Sequence, residues 1–225
     1  MKCDLHLHSC LSPCASLEMG PRSIVEQALQ VDLDLIALTD HNAAFNVPAF
    51  HTCCVDAGIH AFYGMELTTI EEVHMLCLFD DPVAAVDWGE EVYDRLPNIS
   101  NDPERFGDQP IVDAEENIIG FAEKLLLNAT DLSISDAVKE VHLLGGLAIP
   151  AHIDRSVFGL LAQLGFLPDE PFDAVELTAK APPRLAGKYP ILRDSDAHQL
   201  KRIGAVYNQL PLQEASISAL RNILQ

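Results

Sequence analysis

One near-continuous apolar run, Asp34-Leu35-Ile36-Ala37-Leu38-Thr39, limits the fold more than any other stretch of the chain. A strand needs that composition only where both of its faces are buried, as they are inside a parallel sheet covered by helices. The run follows a segment, 21–31, that starts with proline and spaces Ile24, Val25, Ala28 and Leu29 on one helical face. The same alternation then continues. Helices are expected at 48–57, 83–96, from Ser133 or Ser135 to 144, at 157–164, from the Pro182-Pro183 start, and at 213–224. Strands are expected at 59–68, 73–79, 147–151, 174–177, 190–193 and 205–207. Strands 59–68 and 73–79 are close enough in sequence to pair locally. Alternation from end to end argues for a parallel α/β architecture, and 225 residues suit one domain of barrel size. Residues 97–131, rich in Asn, Asp, Pro and Gly, read as an irregular acidic insertion with a hairpin at 109–113 and 117–121, not as a second domain.

The polar residues at the ends of these runs carry the chemistry. In the first run, Asp4-Leu5-His6-Leu7-His8-Ser9, the two imidazoles are two residues apart and project from one face of a strand, with Leu5 and Leu7 on the other. The second run delivers Asp40 and His41, the third Glu66, the fourth His74, a later one His152, and the last Asp196 and His198. Any one of these has an ordinary reading as a hydrogen-bonded polar residue. In a parallel barrel, however, all C-terminal strand ends meet at one rim, and six of the nine histidines would meet there. The other three, His51, His60 and His142, fall inside helix or strand patterns and read as structural. Imidazole and carboxylate together suit Mn²⁺, Fe²⁺ or Zn²⁺. So many ligands exceed the needs of one tetrahedral ion, so two or three ions are expected, with Glu66 suited to bridge a pair. Two neighbouring divalent ions are the usual apparatus of phosphoester hydrolysis.

Taken in order, Asp-Leu-His-Leu-His-Ser, Leu-Thr-Asp-His-Asn, Gly-Met-Glu, Val-His, Pro-Ala-His and Ser-Asp-Ala-His resemble the PHP (polymerase and histidinol phosphatase) family of metal-dependent phosphoesterases, from Lys2 to about Gly204. The resemblance implies a distorted (β/α)7 TIM-like barrel with its metal site at the C-terminal end of the strands. It implies that His6, His8, Glu66 and Asp196 hold one ion, that Glu66 bridges to a second held by His74 and His152, and that His41 and His198 hold a third. Asp40 is then an orienting neighbour or a general acid/base. The family often supplies another ligand of the third ion from the loop after His8, as Asp or His. Here Pro13 and Cys14 stand in those places. Cys14 is either a thiolate ligand, which favours zinc or iron, or a turn cysteine beside an empty third site. Arg155, three residues after His152, is either a clamp for a substrate phosphate or a solvated arginine at a helix start. Lys180, Arg184, Lys201 and Arg202 are weaker candidates and read as surface.

The function expected is hydrolysis of a small phosphorylated substrate, a phosphomonoester or short nucleotide, by a metal-bridging hydroxide. Two alternatives stay open: a weakly catalytic metal-binding module that serves as an interaction partner, and a metal-dependent C–N hydrolase. A net charge of −20, from 14 Lys and Arg against 34 Asp and Glu, disfavours a long nucleic acid as partner. With no run of eighteen apolar residues and no leader pattern at the N-terminus, a cytoplasmic protein without a membrane partner is expected. The six cysteines lack a disulfide spacing and are expected to be reduced.

Overall fold

The computed structural model describes residues 1–224. Strand β1 (Lys2–Leu7), helix α1 (Pro21–Gln30), β2 (Leu35–Leu38), α2 (Val47–Ala57) and β3 (His60–Thr68) form two successive βαβ steps with parallel pairing. Proline sits in the first turn of α1 and of α2, where its missing N–H costs nothing. Helix α2 ends on Gly58, whose left-handed φ of 71° a side chain would resist. Strand β4 (His74–Phe79) then turns back and pairs antiparallel with β3, Thr68 opposite His74. The connecting turn is tight, with Glu72 at φ 58°, and a link that short cannot cross over to a parallel strand.

Helix α3 (Pro82–Asp94) is capped by the Asp81 carboxylate, which accepts from the Val83 N–H, and buries Trp88 under the sheet. The irregular segment follows, with a one-turn helix α4 (Pro103–Phe106) and the hairpin β5 (Pro110–Val112) and β6 (Ile118–Phe121). It is strapped to the body by side chains. Asn46 accepts from the Val112 N–H at 2.9 Å, and Asn42 donates to the Leu126 carbonyl at 2.7 Å. Helix α5 (Ile134–Leu143), capped by Ser133, leads to β7 (Leu147–Pro150), which pairs antiparallel with β4. Helix α6 (Leu160–Leu164) and the parallel pair β8 (Val175–Glu176) and β9 (Ile191–Leu192) come next, then β10 (Asn208–Gln209) and α7 (Ile217–Leu224).

The main sheet has six strands in the order β10-β1-β2-β3-β4-β7. It curls so that single hydrogen bonds continue past its edge. Ile153 N–H reaches the Glu176 carbonyl at 2.9 Å, and the chain beyond β9 runs on to Ala197, which exchanges bonds with His6 of β1 and with His8 just past its end. One apolar cluster lies between the sheet and helices α1, α2, α3 and α5. A second, with Leu5, Phe62, Leu76 and Ile149, is closed off by Leu220 and Leu224 of α7.

Several expectations are corrected here. The sheet is mixed, not parallel throughout, because β4 is reversed. A bulge between Asp4 and Leu7 places Leu5 and Leu7 in different apolar clusters instead of on one face. Helix α6 starts at Leu160 and not near 157, since Phe158 takes a left-handed φ of 57° and Gly159 is extended. The Pro182-Pro183 start gives only a 3-10 turn, Pro183–Ala186. Residues 205–207 form a turn region, and the strand expected there is β10, displaced to Asn208–Gln209. The last helix begins at Ile217, later than 213.

Candidate metal centre

His6 and His8 stand at the end of β1, fixed from behind. Glu176 of β8 holds the Nδ1 of His6 at 3.1 Å, and the Ser12 hydroxyl lies 3.0 Å from the Nδ1 of His8, which leaves both Nε2 atoms facing inward, 3.2 Å apart. Asp40 accepts the Ser9 N–H, the Ser9 hydroxyl and the Ser12 hydroxyl at 2.6–2.7 Å, and Ser12 Oγ also accepts the N–H of His41. Asp40 therefore acts on the imidazoles through a serine, and its oxygens are already engaged.

Glu66 lies at the centre. Its Oε1 is 2.8 Å from His74 Nδ1, 2.9 Å from His152 Nε2 and 3.4 Å from His6 Nε2. Its Oε2 is 3.3 Å from His8 Nε2 and 3.2 Å from His41 Nδ1. Asp196 closes the other side, with Oδ1 between 3.2 and 3.4 Å from His6, His8 and His198. Yet Asp196 Oδ1 and His41 Nδ1 have no partner with hydrogen-bond geometry, although both are buried. Close nitrogens and oxygens that miss hydrogen-bond geometry aim their lone pairs at common points between them, which is what cation ligands do. Three overlapping sets have donor atoms within 4.8 Å of one another: His6, His8, Glu66 and Asp196; His41, Glu66 and His74; and His8, His41 and His198. The donor chemistry of all three fits divalent ions.

The backbone is bent to make this possible. His152, Asp196 and Asn42, next to His41, all take positive φ values (28°, 48° and 48°), a conformation that side chains disfavour and that concentrates at functional sites. His74 comes from the start of β4, not from the far end of a strand, and reaches the same rim only because β4 is antiparallel.

Electrostatics separate the imidazoles. Burial disfavours the charged form of His6, but the carboxylates of Glu176, Asp196 and Glu66 overrule it and hold the ring well above the ordinary range. His8, likewise opposed by burial but 3.2–3.3 Å from the carboxylates of Asp196 and Glu66, is raised to about 9. His41 is pushed well down by burial, and His198 falls to about 4 through burial and the neighbouring His8. Glu66, despite its burial, is held well below the usual carboxylate range by His74, His6 and His41. The site thus asks for positive charge that its own protons cannot supply at every position.

A cavity of about 300 Å³ opens onto the cluster, with Leu127 and Phe158 as its apolar wall. Phe158 stacks on His74 at a centroid distance of 4.4 Å. Arg155 lines the cavity and pairs with Asp196 Oδ2 at 2.6 Å. Cys14 lies at the exposed mouth, and its sulfur belongs to none of the three converging sets among the described residues. The other five cysteines are buried and free. His51 bonds Tyr63 and His142 bonds Asp173, away from the cluster, as structural histidines do. Sequence reasoning missed Glu176, Ser9 and Ser12. For Glu176 a signal existed: it is the single charged residue in the apolar run Ala174-Val175-Glu176-Leu177.

A mixed α/β sheet curled around a buried histidine and carboxylate cluster defines a class of divalent-cation proteins. The chain belongs to the PHP family, whose domain model matches residues 4–156. The uncharacterized protein YqxK of Bacillus subtilis is 38% identical over 92 residues, which cover 36% of this chain and 24% of that protein. Among solved structures, the lesion-specific endonuclease PfuEndoQ from Pyrococcus furiosus superposes with a TM-score of 0.74 at 19% identity, over 99% of this chain and 55% of that one. A putative metal-dependent phosphoesterase from Bifidobacterium adolescentis superposes with a TM-score of 0.61 at 17% identity, over 99% and 95% of the two chains. This chain therefore spans about half the length of the endonuclease. Endonuclease Q has also been solved with a 27-mer duplex substrate that places an abasic lesion at the active site, over a chain that superposes with a TM-score of 0.69 at 19% identity. That complex overturns the inference from net charge that a long nucleic acid is disfavoured. A whole-chain sum of charge does not report the field at one cavity, which a few local charges set. No helix among the described residues is long and apolar enough to cross a membrane.

Proposed function

We propose that the protein is a metal-dependent phosphoesterase, a hydrolase built as a single PHP-type domain whose curled sheet and β8–β9 pair together make the barrel. The observation that carries this reading is the convergence of His6, His8, His41, His74 and His198 on Glu66 and Asp196, with His152 2.9 Å from Glu66, and no hydrogen-bond geometry at Asp196 Oδ1 among the described residues. In this reading His6, His8, Glu66 and Asp196 would hold one ion of the Mn²⁺, Zn²⁺ or Fe²⁺ type, His74 and His152 with Glu66 would hold a second, and His41 and His198 would serve a third. Cys14 lies at the mouth of the cavity, outside the three converging sets. When bound, such ions supply water of lowered pKa and neutralise charge on attacking and leaving oxygens.

The chain's own residues do the rest. Arg155, anchored on Asp196, has further N–H donors to turn toward a phosphoryl oxygen in the cavity. Leu127 and Phe158 exclude water from one side and offer an apolar surface to the organic part of the ester. Asp40 positions His8 and His41 through Ser12 instead of meeting the substrate. The substrate is a phosphoester, either a small phosphorylated molecule or the backbone of a nucleic-acid strand; the endonuclease complex with its duplex favours including the latter.

The test is metal analysis of the purified protein with a release assay on p-nitrophenyl phosphate, a panel of phosphomonoesters and diesters, and oligonucleotides with and without lesions, each with and without added Mn²⁺. Metal-dependent phosphate release supports the reading. A fully metallated protein that releases nothing from phosphoesters contradicts it, and release from amides alone makes the protein a C–N hydrolase; a solved structure named an amidohydrolase, from Chromobacterium violaceum, superposes with a TM-score of 0.61 at 19% identity over 94% of this chain and 93% of that one.

A further inference from the structure

We propose that Phe158 is a positioning residue for the second ion: its ring holds the imidazole of His74 in the plane from which Nδ1 faces Glu66. This rests on the metal-dependent reading above and adds to it a residue that binds no metal itself. Imidazoles that hold cations are commonly oriented by a hydrogen bond at the ring nitrogen that points away from the ion. His6 has that bond with Glu176 and His8 has it with Ser12, both at Nδ1. His74 presents Nδ1 to Glu66 at 2.8 Å, and its outer nitrogen, Nε2, makes no hydrogen bond among the described residues. His152, which with His74 and Glu66 would hold the second ion, has a buried Nδ1 that likewise lacks a partner. The second set is therefore without the outer hydrogen bonds that brace the first.

Phe158 supplies a different support. Its ring lies parallel to that of His74, with 5° between the planes and 4.4 Å between the centroids, and its carbonyl accepts the backbone N–H of His74 at 3.0 Å. One residue thus grips both the ring and the main chain of the ligand. A flat neighbour laid face to face restricts the imidazole from turning out of its plane, so the lone pair of Nδ1 keeps one direction. The grip comes with backbone strain. Phe158 has a φ of 57°, a left-handed conformation that a bulky side chain disfavours and that persists only where the surroundings impose it. Those surroundings are a loop closed on itself: the Arg155 N–H donates to the His152 carbonyl at 2.9 Å, and a Cβ on Gly159 would collide with the Arg155 carbonyl oxygen. Any large aliphatic side chain on a relaxed backbone would cover the cavity. A flat ring laid parallel to a ligand, on a strained backbone, points to orientation.

The experiment compares Phe158→Leu, which keeps apolar bulk at the same φ without a flat face, with Phe158→Tyr, which keeps the face. Metal-free protein is titrated with Mn²⁺ against a chelator, and crystals soaked at limiting Mn²⁺ locate each ion by anomalous scattering. We expect Phe158→Leu to weaken the ion beside His74 about tenfold or more while the ion of His6 and His8 keeps its wild-type affinity, and Phe158→Tyr to bind as the wild type does. Wild-type affinity at every site in Phe158→Leu, equal weakening at every site, or the same loss in Phe158→Tyr overturns the proposal. A second readout needs no metal. Proton–nitrogen correlation spectra of the metal-free protein should show the His74 ring in one sharp tautomer in the wild type and Phe158→Tyr, and broadened or exchanging between tautomers in Phe158→Leu; a Phe158→Leu ring as sharp as the wild type's also overturns the proposal. Wild-type protein that binds no Mn²⁺ defeats the metal-dependent reading and this role with it, an outcome distinct from all of these.

Discussion

Glu66 is the residue on which the centre turns, since its two oxygens lie within 3.4 Å of five imidazoles. Glu66→Gln removes the shared negative charge and points an amide N–H₂ toward the cations. We expect it to lower metal affinity by more than the roughly 100-fold that loss of an outer partner costs, as read by competition with a chelator. Glu176→Gln loosens the grip on His6 and should cost about 10- to 100-fold in the same measurement. His142→Ala breaks one bond to Asp173; it should cost about 1 kcal/mol of stability and leave metal content unchanged. Proton competition gives a further test. Without cations, the ring of His8 sits at about 9 because Asp196 and Glu66 outweigh its burial. An ion that takes His8 must displace that proton, so metal affinity should fall as pH drops below about 9, by about tenfold per pH unit for each proton displaced. Titrations across that range showing a flat affinity would contradict this. At this scale the sequence was most readable where a polar residue interrupts or ends an apolar run, as at His8, His41 and His198. Ser12 was not readable, because nothing in a Ser- and Pro-containing loop tells which hydroxyl turns inward to meet both Asp40 and His8.

The elements were legible where periodicity is long and capping is local, as in α1, α2, α3 and α5. Strand direction was not. The turn after β3 is short enough to betray β4 as antiparallel, but an apolar run buried on both faces has the same pattern in either direction. That reversal matters, because it brings His74 to the rim. The β3–β4 pair depends on Gly64: a Cβ there would stand 1.8 Å from the Cys77 carbonyl oxygen, which is backbone and cannot swing away. Gly64→Ala should therefore cost about 3 kcal/mol, seen as a lowered melting temperature with loss of bound metal, since Glu66 is two residues on. An unchanged melting temperature would show that the two strands are not so close. The late start of α6 was unreadable for a different reason: a left-handed φ at Phe158, a bulky residue, goes with its packing on His74 and not with local preference.

For the whole molecule, the composition gave a compact globular chain but misled on partners, since net charge averages over a surface that the cavities divide. The irregularity of residues 97–131 was recognisable from their composition, and the hairpin from its alternation, but not the attachment of the segment. That attachment passes through Asn46, which bonds Val112, Pro110 and Ser9 at once, and through Asn42, which bonds Leu126, the neighbour of the cavity residue Leu127. Asn46→Ala should leave these groups unpaired, destabilise the strap by about 2 kcal/mol, and raise the rate of limited proteolysis within 97–131 while the rest of the chain resists.

The measurement that tests the account most directly is anomalous diffraction from crystals of the protein grown with Mn²⁺, paired with elemental analysis. Two or three metal peaks are expected among His6, His8, His41, Glu66, His74, His152, Asp196 and His198, with their loss in His8→Ala. A protein that folds, crystallises and carries less than one ion per chain at those side chains would contradict it.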